Sequence, residues 1–70
     1  MTNKLSNEAK EVWLVERGWM EKNGSWKHPT LNFDWPLEDA FRLQRGSERG
    51  ARGPLFEDLR NWLRAKEATR

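Results

Sequence analysis

An Asn23-Gly24 pair stands in the middle of Gly18–Pro29, between two short runs of alternating side chains. A tight type I′ turn needs positive φ at both central residues, and Asn-Gly meets that need at the least steric cost. The turn fixes a register: Lys22 faces Ser25, Glu21 faces Trp26, Met20 faces Lys27, and Trp19 faces His28. Side chains alternate across a strand, so Trp19, Glu21, Trp26 and His28 share one face. That face, with two indoles and an imidazole, is expected to pack on helices. Met20, Lys22, Ser25 and Lys27 share the other, which is expected to be solvated and basic.

Helical spacing surrounds this hairpin. Ser6 or Asn7 can cap a helix over Asn7–Arg17, with Glu8 suited to its positive end. Ala9, Val12, Trp13 and Glu16 form its expected inner stripe, with Leu14 and Val15 at the edges, and Gly18 is placed as the terminating glycine. Met1–Leu5 is expected to be a loose end. After His28-Pro29, the segment Thr30–Trp35 carries Leu31, Phe33 and Trp35 in alternation, as a short third strand would or, the favoured reading, an extended loop pressed on the core. Pro36 fits the first position of a second helix, whose stripe is Leu37, Ala40, Phe41 and Gln44 with Leu43 beside it. Gly46 is expected to end that helix.

Arg45–Gly53 carries three glycines and few apolar side chains, which predicts a flexible arginine- and glycine-rich linker over residues 47–53. Pro54 restarts helical order. Leu55, Phe56, Leu59, Trp62, Leu63 and Lys66 are spaced as one face of a third, amphipathic helix, with Asp58, Arg60 and Arg64 facing away. The expected fold is therefore a small α+β domain: a helix–hairpin–helix core over residues 1–46, the linker, and a C-terminal helix over 54–70. Its predicted core is Trp13, Trp19, Trp26, Leu37 and Phe41, with parts of Phe33 and Trp35, closed by Leu59 and Trp62 if the third helix docks rather than engaging a partner's groove.

Seventy residues allow one small domain, and the chain has no cysteine to staple it. Five Trp and three Phe are expected to make up the burial. Mean hydropathy is −1.06, and no run approaches the roughly 18 apolar residues of a membrane span. The N-terminus lacks the apolar stretch of a secretory signal. These features predict a cytoplasmic protein with no membrane partner.

The single histidine, His28, has neither cysteine nor a second histidine beside it, so a packed structural role is expected rather than a metal site. No phosphate loop, dinucleotide fingerprint or activated nucleophile is present. The carboxylates are spaced as helix charges and caps. The chain is expected to be no enzyme, with no cofactor and no small-molecule substrate. The net charge is only +2, but Arg42, Arg45, Arg49 and Arg52 accompany a single acid, Glu48. With Lys22 and Lys27 they form the expected partner-binding set, suited to phosphates or to an acidic protein surface.

The pattern Trp13-Leu14, Gly18-Trp19, Gly24-x-Trp26-x-His28-Pro29 and Trp35-Pro36-Leu37-Glu38-x-Ala40 resembles that of small proteins carried by tailed phages and prophages. The likeness covers Glu8–Gln44, with Pro36 where a capping Ser or Thr is expected. In size and charge the chain is also similar to phage transcription regulators. The resemblance implies a protein that binds bacterial RNA polymerase at its β′ subunit in the host cytoplasm, inhibits initiation and favours antitermination. Direct nucleic-acid binding through the arginine set is the alternative.

Overall fold

A computed structural model describes residues 6–68. Helix α1 spans Asn7–Glu16, strands β1 (Met20–Lys22) and β2 (Ser25–Lys27) form an antiparallel hairpin, and helices α2 (Leu37–Arg49) and α3 (Pro54–Ala68) follow. The architecture is α+β, as expected. The expectations for Met1–Leu5 and for the last two residues lie outside the described part.

The hairpin has the register set by its turn: Met20 opposite Lys27, Glu21 opposite Trp26, Lys22 opposite Ser25. Asn23 and Gly24 have φ of 53° and 83°. The Glu21 carboxylate accepts from the Gly24 amide at 2.8 Å and ties the turn down. Thr30–Trp35 is a loop, but Trp26 and Trp35 exchange two backbone hydrogen bonds, of 2.7 and 2.8 Å, which pin its end beside β2. Leu31 from this loop is buried. Phe33 does not join the core: it is 66% exposed, with its ring nearly perpendicular to that of Trp35 at 6.5 Å between centroids.

Ser6 caps α1 by accepting from the Ala9 amide. Its inner face differs from the expected one. Leu14 is its one buried residue, while Val12 and Val15 point outwards. The half-buried flank consists of Trp13 and the stems of Lys10 and Arg17, whose charged ends turn to Glu38 and Glu48 of α2. Long basic side chains can cover apolar surface in this way, and a count of apolar residues does not register them. Helix α1 stops in a Schellman motif: Gly18 and Trp19 donate to the carbonyls of Val15 and Leu14 at 3.1 and 3.0 Å, with Gly18 at φ 95°. That turn swings Trp19 into the core beside Leu14.

Helix α2 starts one residue later than expected, with Pro36 at its cap, and runs past Gly46 to Arg49. Gly46 is an interior helical residue because the Phe56 ring of α3 lies against it; a Cβ there would stand 2.5 Å from Phe56 Cε1. Gly50, at φ 90°, is the true terminator. The predicted linker thus shrinks to a turn, since Ser47–Arg49 are helical. Arg60 of α3 does not face away. It donates to the carbonyls of Ser47 and Ala51 at 3.1 and 2.7 Å, closing the end of α2. Helix α3 packs along α2, with Leu59 in the core and Trp62 half-buried.

The interior holds Leu14, Trp19, Trp26, Leu31, Ala40, Phe41, Leu43 and Leu59. Three polar side chains are buried with them, each with partners. Gln44 accepts from Trp19 Nε1 at 3.0 Å and donates to Glu48, and Ser47 donates to the Gln44 carbonyl. His28 stands between the rings of Trp19 and Trp62, at centroid distances of 5.3 and 4.8 Å. Its Nε2 donates to the Arg17 carbonyl at 3.0 Å, and its Nδ1 accepts from the Thr30 amide and pairs with the Thr30 hydroxyl. Those partners select the neutral ring with its proton on Nε2.

Burial lowers the His28 pKa below its ordinary 6.5, against a smaller opposite pull from the Arg17 carbonyl. The unfolded chain therefore takes up a proton near pH 6.5 while the folded chain still resists it. Stability should be level above that pH and fall below it, with a slope of up to about 1.4 kcal/mol per pH unit until the folded ring titrates. Urea midpoints measured at pH 7.5, 6 and 5 test this. A midpoint that does not move across that range would contradict the neutral, buried ring.

Candidate functional site

Every residue of the expected partner-binding set is exposed, but the structure divides it. At 100° per residue, Arg42, Arg45 and Arg49 fall within about 60° of arc and run about 10.5 Å along α2. They stand opposite the buried face formed by Ala40, Leu43, Gln44 and Ser47. Arg52 lies beyond the helix, in the turn to α3. Lys22 and Lys27 stand on another element, the outer face of the hairpin, beside exposed Met20.

Among the described residues, no carboxylate lies within ion-pair distance of Arg42, Arg45, Arg49 or Arg52. Of the acids near them in sequence, Glu38 is engaged by Lys10 and Glu48 by Arg17 at 2.6 Å and by Gln44, while Asp39, three residues before Arg42, makes no ion pair with any of the four. Arg45 lies 5.7 Å from the Phe41 ring centroid, which steadies its stem without neutralising it. The stripe is therefore a row of uncompensated guanidiniums on a rigid rod. It suits carboxylates or phosphates, which a guanidinium grips through two parallel N–H donors.

Two surfaces escaped the sequence reading. One is the outer face of α1, where Val12 and Val15 are exposed among Glu8 and Glu11. The other is an open cleft of about 720 Å³ between the end of α1, the end of α2 and α3. Its walls include Glu16, Arg17, Glu48, Arg60, Arg64 and Lys66. Several of these bases are already engaged: Arg17 by Glu48, Arg60 by two carbonyls, and Lys66 by the Glu16 carbonyl. Neither surface has a local sequence signal, because each is defined by which side of a helix meets the core.

Among the described residues no group of three or more His, Asp or Glu side chains gathers as a metal site, and no helix is long and apolar enough to cross a membrane. No protein-family model, curated protein or solved structure matches the chain.

Proposed function

We propose that this chain is a non-enzymatic binding protein that docks its α2 arginine stripe on an acidic surface of a host protein. Bacterial RNA polymerase, at its β′ subunit, is the partner the phage resemblance implies, with inhibited or modified transcription as the outcome. The observation that carries the reading is the row of Arg42, Arg45 and Arg49, ordered by α2 and unpaired with any carboxylate among the described residues. A rigid row loses less conformational entropy on binding than the same arginines in a flexible linker.

The same row supports a second reading, direct binding to nucleic acid. Three guanidiniums over about 10.5 Å can meet successive phosphates of one strand. The two readings differ in salt and nuclease response. In the first, pull-down from bacterial lysate recovers polymerase subunits that survive nuclease treatment. The R42A/R45A/R49A variant then recovers at least about tenfold less, the equivalent of about 1.4 kcal/mol. In the second, recovery vanishes with the nucleic acid, and a gel shift seen at low salt weakens by about 0.9 log units of affinity per log unit of salt for each phosphate contacted. Undiminished capture by the triple variant would sink both.

A further inference from the structure

We infer that the outer face of α1 is a docking surface for the arginine stripe of a second copy of this chain. Glu8, Glu11, Val12 and Val15 cover about 100° of α1, on the side away from Lys10, Trp13 and Arg17. Val12 and Val15 are 61% and 57% exposed. Two adjacent β-branched apolar side chains held in water on a helix invite cover. The face carries no base, because Lys10 and Arg17 both turn inwards to acids of α2. Neither Glu8 nor Glu11 has an ion-pair partner among the described residues.

The complement of this face is present in the same sequence. Glu8, Glu11 and Val15 follow one another at steps of three and four residues, and so do Arg42, Arg45 and Arg49. Helical rows of equal spacing place both acids against arginines at once. The valines then lie on the methylene stems of the arginines, which are apolar along most of their length. Each face supplies the charge that the other lacks, and the apolar part of one meets the apolar stems of the other. A helix laid on a helix is a small contact, so the association is weak and salt-sensitive, with Kd above about 1 μM.

This inference rests on the anion-docking role given to the stripe above, and it adds a regulation of that site. A stripe covered by a neighbour's α1 is closed to any other anionic partner. Self-association therefore competes with partner capture.

Analytical ultracentrifugation of the purified full chain tests the idea. At low salt, about 20 mM, the average mass should rise with protein concentration, and at about 500 mM salt it should return to that of one chain. The variants E8K/E11K and R42E/R45E should each stay monomeric, since each sets like charges against one another. An equimolar mixture of the two should associate again, because the intact stripe of one meets the intact α1 face of the other. All four positions are exposed, so the substitutions leave the core untouched. A wild-type chain that stays monomeric at low salt would overturn the inference. So would association that survives either charge reversal, which would place the contact elsewhere, for instance at exposed Phe33 or Met20. A monomeric chain that still captures polymerase would overturn this inference alone and leave the proposed function standing.

Discussion

Replacing Gly18 by alanine should destabilise the protein by about 3 kcal/mol or more. Two costs add. Gly18 has φ 95°, a left-handed conformation that costs an L-residue roughly 1–2 kcal/mol. The new methyl group would also stand 2.7 Å from Cη2 and Cζ2 of Trp62 and 3.1 Å from His28 Nε2. His28 packs against the indole at 4.8 Å between ring centroids, nearly perpendicular, and α3 holds its backbone, so the ring cannot yield without losing that contact. Trp62 must leave its site, and the docking of α3 weakens with it. A chain of this size has about 4–10 kcal/mol in total. The melting temperature should therefore fall by about 12 °C or more. Gly24 provides the control. It too has positive φ, at 83°, but no atom lies within 4 Å of its Cβ position. Gly24→Ala should show the backbone cost alone. Equal losses for the two alanines would show that the indole does not press on Gly18.

Leu59→Ala should cost about 3 kcal/mol, within the 2–5 kcal/mol seen for deleting a fully buried leucine. Leu59 is wholly inaccessible and belongs to the same cluster as Leu14, Trp19 and Trp26. The loss should appear in the unfolding of the whole chain, as a single urea transition shifted to lower midpoint with an unchanged slope. Fluorescence of the tryptophans and far-UV circular dichroism should give the same midpoint. If α3 were an appendage, the tryptophan transition would stay where it is in the parent chain, and only the helical signal would change.

The hairpin was legible because its determinants are local. Asn23 and Gly24 dictate the turn, the turn dictates the register, and the register places Trp19, Trp26 and His28 inwards. The inner stripe of α3 was legible for a similar reason, as Leu55, Leu59, Trp62 and Leu63 leave little choice of face. Helix α1 was harder. Its apolar residues surround it, and the choice of face was made by what α2 offers: Glu38 and Glu48 draw Lys10 and Arg17 to that side, and Val12 and Val15 are left outside. The end of α2 was misplaced because Gly46 and Gly50 look alike in sequence. Only the Phe56 ring, ten positions downstream of Gly46, shows that the first must lack a side chain while the second must turn the chain. The candidate site shared in that error. Arg42, Arg45 and Arg49 were recognisable as a basic set, but their alignment depends on a helix that was expected to stop before Arg49 was reached.

Arg60 gives the fold a direction in time. The carbonyls of Ser47 and Ala51 at the end of α2 receive their donor from a residue 13 and 9 positions further on. On a ribosome that donor is still inside the exit tunnel when Ser47 emerges. The finished end of α2, at the far end of the arginine row, therefore awaits α3. A nascent chain of this kind completes the end of its basic face only after residues well beyond α2 have left the ribosome.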